Sequence, residues 1–252
     1  MFRPTRRPSP APNRLAAGAR GMLLAAALTG SALANAPQGI TAGELALLPP
    51  YCPDTHTFTL EGSPDSPTQR QARWVGMLGR SFWDLHHYCW ALINTRRATM
   101  PGLTRAERDH LHRWAIGDVL YVIRFASPDF ALLPELWHRI GLYQMQVGDP
   151  IGALESFNKS REAKPDYWPP YVEIARIQQS IGRQAEALKV IHEGLVAAPG
   201  TPQLVEARAH ILGSKAQPKR ALPRGPDSPA RAASAPVAPA ATPAAPSATA
   251  PR

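Results

Sequence analysis

The 252-residue chain has only two cysteines and lacks the common sequence motifs of catalytic and metal sites. Its two cysteines cannot form a paired-cysteine zinc motif, and it has neither a C-x-x-C-H haem attachment sequence nor an H-E-x-x-H sequence. It also lacks a serine nucleophile elbow and a glycine-rich phosphate loop. These absences argue against the common hydrolase, metalloenzyme and nucleotide-binding classes. We therefore expect no catalytic residues and no cofactor.

Positive charge is abundant in the whole chain, but its central part has no basic excess. The formal net charge of +9 invites a nucleic-acid partner. Residues 1–34 carry five arginines, however, and residues 214–252 carry six basic residues against one acidic residue. Residues 35–213 hold 17 Lys and Arg against 18 Asp and Glu, a net charge of −1. Nucleic-acid binding by the central part therefore loses its main support.

The N-terminal segment, residues 1–34, has the features of a secretory signal peptide. A basic start is followed by a short apolar core from Met22 and by Ala32-Leu33-Ala34, an A-x-A cleavage sequence. The apolar core is too short to span a bilayer as a mature helix. We predict export to the periplasm or cell envelope, with a mature chain that begins at Asn35 and has no transmembrane span. A merely disordered N-terminus is the alternative.

The C-terminal residues 214–252 contain nine prolines and thirteen alanines, with almost no large apolar side chain. Such a composition cannot offset the entropy cost of ordering by burying apolar surface, so we predict a disordered tail. Because the tail is basic, a second hypothesis makes it an envelope tether that lies against an anionic membrane or cell-wall polymer.

Two central stretches, 134–167 and 168–201, repeat each other at a constant offset. The matching pairs are Trp137 and Tyr171, Ile140 and Ile174, Gly141 and Ala175, Gly148 and Gly182, Ala153 and Ala187, Leu154 and Leu188, Phe157 and Ile191, Ala163 and Ala197, and Pro165 and Pro199. Within each stretch apolar residues recur at helical spacing, and Gly or Pro follows each helix. The sequence therefore predicts two helical hairpins, and a period of about 34 residues indicates that they stack.

The two hairpins need further layers, because about three repeats are usually required for stability. Upstream, an apolar stripe over residues 73–95 is read as one long helix, and Thr104 with Glu107 forms a capping-box sequence that starts another. The predicted organisation is a signal peptide at 1–34, a Pro-rich segment at 35–71, an atypical helix pair at 72–133, repeats at 134–167 and 168–201, a capping helix at 202–213 and a disordered tail at 214–252.

The two cysteines lie far apart in the sequence, Cys52 in the Pro-rich segment and Cys89 in the first long helix. In an oxidising compartment such a pair readily forms a disulfide, which would fix the Pro-rich segment to the helices. The alternative is two buried free thiols. The sequence His86-His87-Tyr88-Cys89 also raises a metal or redox hypothesis that uses His86, His87 and Cys89, with His110 and His112 on the next helix.

The positions of these histidines on a helix argue against the metal hypothesis. Adjacent residues on a helix point about 100° apart, so His86 and His87 are poorly placed to hold one ion. We therefore predict no metal site and expect one of these histidines to be hydrogen-bonded between helices and the other to be exposed.

The W-x2-I-G…G…A-x3-F…P pattern of the repeats resembles the tetratricopeptide repeat (TPR) family. Together with Leu48-Pro-Pro-Tyr-Cys52 and His86-His87-Tyr-Cys89, it is similar to a group of exported bacterial TPR proteins of unknown function. The resemblance implies an all-α fold, a short TPR-like α-solenoid of helical hairpins, and a structural role for the two cysteine-containing sequences.

The resemblance also implies a binding groove, because the first helix of each TPR lines the concave surface. The matching positions are Glu135, His138, Leu142, Met145, Val172, Arg176 and Gln179; Pro169 departs from the usual helical residue at its position. The sequence thus predicts a non-enzymatic exported scaffold that binds a protein or peptide in the envelope, with the metal or redox module and the envelope tether as alternatives.

Overall fold

The computed structural model describes residues 39–214 and 220–223, and within them the chain is all-α, without a β-strand. The predicted fold class is confirmed. The helices of this described part are α1 (Ala42–Ala46), α2 (Gln69–Leu78), α3 (Leu85–Arg97), α4 (Arg105–Phe125), α5 (Leu133–Gln146), α6 (Pro150–Ala163), α7 (Pro169–Ser180), α8 (Gln184–Ala197) and α9 (Pro202–Gly213), with short 3-10 helices at Cys52–Asp54 and Arg80–Asp84.

The helices pack mainly against their neighbours along the chain. Helices α3 and α4, α5 and α6, and α7 and α8 form three successive hairpins, and α9 closes the stack against α8 and α7. Contacts between α4 and α5 and between α6 and α7 join one hairpin to the next. This order of packing is that of a short solenoid.

The period of the sequence repeat is reproduced in the backbone of the last two hairpins. Helices α6 and α8 begin and end at equivalent positions of the two repeats. The turns before them contain Gly148 with φ +80° and Gly182 with φ +74°, a conformation that glycine adopts without a steric penalty. The amides that follow donate to equivalent carbonyls, from Asp149 to Gln144 at 2.8 Å and from Arg183 to Gln178 at 2.9 Å.

The prediction of one long helix over residues 73–95 is wrong. Helix α2 ends at Leu78, Gly79 has φ +67°, and a 3-10 turn leads into α3. The apolar stripe continues through the break because Phe82 in the turn is fully buried. The positive φ of Gly79 therefore divides one apolar pattern between two helices.

The Pro-rich segment is more ordered than the sequence suggested. It contains α1, whose first turn is closed by a capping box between Thr41 and Glu44. A second capping box between Thr68 and Gln71 starts α2, so the predicted boundary at residue 71 falls inside that helix. The capping box predicted at the start of α4 is present, with Thr104 and Glu107 bonded reciprocally.

The core consists of one large apolar cluster followed by two smaller ones. The large cluster joins the Pro-rich segment, α3, α4 and the inner face of α5, around Phe82, Tyr88 and Leu136. A smaller cluster lies between the second and third hairpins around Phe157 and Ile177, and another joins the last hairpin to α9.

None of the helices in the described ranges is both long and apolar enough to cross a membrane. The predicted signal peptide lies outside the described residues, as does most of the predicted disordered tail. The exceptions in the tail are Ser214 and residues 220–223, of which Arg220 and Leu222 contact the helical stack.

Candidate functional site

A disulfide joins Cys52 and Cys89, as predicted, with their Cα atoms 5.8 Å apart. Both cysteines are completely buried. The bridge connects the 3-10 turn of the Pro-rich segment to α3, so Cys89 offers no thiolate for a metal. The alternative of two buried free thiols is therefore wrong for this structure.

Polar contacts hold the same segment in place beside the bridge. The guanidinium of Arg97 donates to Glu44 Oε1 at 2.6 Å, and this interaction is the main reason why the pKa of Glu44 is lowered to about 2. The buried Gln71 donates to the carbonyls of Asp54 at 3.0 Å and Glu61 at 2.8 Å. The Pro-rich segment is therefore attached along its length by side-chain hydrogen bonds as well as by the bridge.

The adjacent histidines of α3 face different partners. His86 Nδ1 lies 2.9 Å from the Trp83 carbonyl oxygen, and His87 Nδ1 lies 2.9 Å from Asp118 of α4. Burial lowers the pKa of His86. His87 thus bonds between helices, as expected. The expectation that the other histidine is exposed is wrong, because His86 is half-buried and bonds to the turn that precedes its own helix.

The two imidazoles nevertheless come closer than their positions on the helix suggest. Their ring centroids are 4.3 Å apart, within a row of rings that runs from His56 through His86 and His87 to Tyr121 and Phe125. In the described ranges, no group of three or more His, Cys, Asp or Glu side chains is arranged to hold a metal ion.

The other two histidines considered as ligands lie in different settings. His110 lies against Trp114 with ring centroids 4.6 Å apart, while His112 lies near Tyr143.

The row of rings from His56 to Phe125 was not predicted from the sequence. The spacing of Tyr121 and Phe125, four residues apart on α4, was a signal for its outer end.

Two of the predicted groove residues take part in contacts inside the stack. Glu135 accepts a hydrogen bond of 2.6 Å from the hydroxyl of Tyr88, which links α5 to α3, and Arg139 lies 3.4 Å from the same carboxylate oxygen. His138 packs near Phe157 and Tyr167. Burial, followed by the charge of Arg139, lowers the pKa of His138 to about 4, so its imidazole is neutral at pH 7.

Leu142 and Met145 lie further along the same helix. Leu142 packs against both the large cluster and the cluster around Phe157, so it joins two layers of the core. Met145 is 39 % exposed and offers an apolar, flexible side chain to solvent.

The three predicted groove residues of α7 differ in their exposure. Val172 is only 7 % exposed and packs in the last core cluster, so it supplies little surface. Arg176 is exposed and donates to Glu173 at 2.7 Å. Gln179 donates to the hydroxyl of Ser214, at the end of α9, at 3.3 Å. Arg176 is therefore the member of this set most accessible to a partner.

An open cavity of about 620 Å³ lies between the beginning of α4 and the end of α5. Of the predicted groove residues, only Leu142 is part of its wall. The lining side chains combine two arginines with apolar and aromatic groups: Ala98, Thr99, Met100, Arg105, Arg108, Asp109, His112, Leu142, Tyr143 and Gln146.

The cavity was not predicted from the sequence, because its two walls belong to helices of different hairpins. Arg105 and Arg108 lie in the first turn of α4 and are exposed. The hydrogen bond from Arg108 to the Leu103 carbonyl holds one guanidinium at the rim. Arg105 is paired with Asp109 at 3.7 Å, so Arg108 is the cation without an ion-pair partner among the lining residues that the structure describes. Beside Leu142 and Tyr143 it suits an acidic and a hydrophobic group together.

Comparison with protein-family models, with curated proteins and with solved structures gives no match to this chain. The function must therefore be inferred from the geometry of the chain itself.

Proposed function

We propose that the protein is a non-enzymatic scaffold of the TPR type that binds a protein or peptide partner in the periplasm or cell envelope. The observation that carries this proposal is the stack of sequential hairpins in which the period of the repeat recurs in both sequence and backbone. Repeat proteins of this construction use extended concave surfaces for binding.

Two observations support the proposed location. Residues 1–34 have the composition and cleavage sequence of an export signal. The bridge between Cys52 and Cys89 is compatible with an oxidising compartment, since structural disulfides persist there.

The exposed residues of the cavity and of α7 suit an extended or helical segment that carries an acidic and a hydrophobic residue. Arg108 and Arg176 are exposed cations, while Leu142 and the half-exposed Met145 supply apolar contacts. An arginine pairs with a carboxylate through two parallel hydrogen bonds, and methionine adapts to irregular surfaces. The recognition mode would be that of a peptide bound in a groove.

The alternatives have less support. A metal or redox module would have to function without Cys89, whose sulfur is bonded to Cys52, and with His87 engaged by Asp118. A tether through the basic tail remains a hypothesis that deletion of the tail would test.

Affinity capture from a periplasmic extract tests the proposal, with Arg176→Glu and Met145→Ala as groove variants. We expect partner recovery to fall at least about fivefold with each variant, because each removes an exposed anchor worth on the order of 1 kcal/mol or more. Arg108→Glu examines the cavity in the same way.

Lys189→Ala is the matched control, since Lys189 is exposed on the second helix of its hairpin and lies outside the predicted groove. Circular dichroism must show unchanged helicity in all four variants. Recovery that is the same for the three groove and cavity variants as for wild type would place the partner elsewhere and remove the basis of the proposed groove.

A further inference from the structure

We propose that residues 220–223 are an internal ligand of the scaffold. They occupy part of the surface that the partner binds, and they indicate which kind of segment binds there. The proposal has two parts. The docking of the segment at the end of α7 stands on its own contacts, whereas its competition with a partner rests on the proposed function.

The first contact is a backbone hydrogen bond. The amide of Arg220 donates to the carbonyl oxygen of Ile181 at 2.7 Å. Ile181 is the C-cap of α7, and the last carbonyls of a helix have no amide partner within that helix. The returning segment therefore satisfies an acceptor that the fold leaves available at its surface.

The second contact is made by one aliphatic side chain. Leu222 packs against the cluster formed by Ala153, Phe157, Ile174 and Ile177, the same cluster that the predicted groove residue Leu142 covers. Leu222 is half-buried, while its neighbours Ala221 and Pro223 are exposed. Arg220 is exposed as well, so Leu222 is the side chain through which the segment packs against the protein.

The approach of the tail to this surface is fixed by the end of α9. Gln184 donates to the Ile211 carbonyl at 2.7 Å, and Gln179 donates to Ser214 at 3.3 Å. Only residues 215–219 of the sequence separate Ser214 from Arg220. A connection this short gives an effective concentration in the millimolar range, so a contact whose dissociation constant lies below this value is formed in most molecules.

These contacts define what a partner must offer in order to replace the segment. It needs a backbone amide that can donate to the Ile181 carbonyl and, two residues later, a leucine-like side chain. Residues 220–223 are covalently attached and compete with such a partner. The partner's apparent affinity is its intrinsic affinity multiplied by the fraction of molecules in which the surface is unoccupied.

The test uses the full chain and a fluorescent peptide with the sequence of residues 217–225. We expect Leu222→Ser to remove the internal contact and to raise the affinity for the peptide about tenfold over wild type, the factor for an internal ligand whose effective concentration is about ten times its dissociation constant. Leu212→Ser, at an exposed leucine near the end of α9, is the control and should leave the affinity unchanged. A second peptide with serine in place of leucine should not bind.

Absence of peptide binding to the Leu222→Ser chain, or equal affinities for this chain and wild type, would overturn the docking of the segment. Capture from extract examines the second part separately, where higher partner recovery by the Leu222→Ser chain supports competition and unchanged recovery refutes it. Peptide binding without any captured partner would contradict the scaffold function but not the internal ligand.

Discussion

The part of the structure before α5 is held together differently from the two hairpins that follow, α5–α6 and α7–α8. The first part surrounds one large cluster and is fastened by the Cys52–Cys89 bridge, by the Glu44–Arg97 ion pair and by the bonds of Gln71. The later hairpins depend on smaller clusters between successive helices. The comparison shows a stack in which long-range fastening is concentrated at the N-terminal end, while the remainder is stabilised by contacts between neighbours.

The largest expected effect comes from removal of the disulfide. A bridge that closes a sequence separation of 37 residues restricts the unfolded chain, so the Cys52→Ser and Cys89→Ser double variant should lose about 4 kcal/mol of stability. Urea unfolding followed by circular dichroism measures this loss. If long-range contacts stabilise mainly the N-terminal part, hydrogen exchange of the double variant should show a greater loss of amide protection in α3 than in α8. Equal losses in the two helices would contradict this difference between the two parts.

Acid should weaken the first repeat through His138. Its folded-state pKa of about 4 lies below the ordinary value of 6.5, so the unfolded chain binds a proton at a higher pH than the folded chain does. Stability is therefore fully present above pH 6.5 and falls as the pH is lowered toward 4, by up to about 3 kcal/mol from this group.

The measurement is urea unfolding at several pH values for wild type and His138→Gln. The variant should lose that part of the pH slope, whatever its stability at pH 7. An identical slope in both proteins between pH 6.5 and 4 would contradict the assignment.

A smaller effect separates the two repeats from each other. A Cβ atom on Gly141 would lie 2.4 Å from the Phe157 ring, whereas the second repeat has Ala175 and Ile191 at these positions. Gly141→Ala should therefore cost about 2 kcal/mol through overpacking.

The double variant Gly141→Ala with Phe157→Ile gives the first repeat the residues of the second. We expect it to be more stable than the sum of the two single changes predicts, because the smaller side chain makes room for the added methyl group. Strict additivity in a double-mutant cycle by thermal unfolding would show that the two positions do not compensate each other.

The repeats could be predicted from sequence because the residues that specify each hairpin lie close together in the chain and recur in both repeats. Gly148 and Gly182 mark the turns, and Thr104 with Glu107 marks the start of α4, within a few residues of the structure they specify. The break at Gly79 was hidden because the apolar pattern continues through it. A periodic stripe reports which residues are buried, but it does not report a change in direction of the backbone.

The surface chemistry was less predictable because it depends on residues distant in sequence. The bond between Tyr88 and Glu135 joins α3 to α5 and turns a presumed groove carboxylate into an interhelical contact. The cavity brings Arg108 beside Leu142, and the tail brings Leu222 back to the cluster around Phe157. Repeat spacing alone places such positions on a helix face, but it does not identify the neighbours that cover them.

The position of the disulfide also has a consequence for the order of assembly. The loop that it closes ends at Cys89, ahead of every residue of the two repeats, so its contacts arise early along the chain. The hairpins that follow need only local contacts with the preceding layer, and structure of this kind propagates from an existing neighbour. A chain that grows from its N-terminus can therefore complete the bridged end first and use it as the template on which each later hairpin folds.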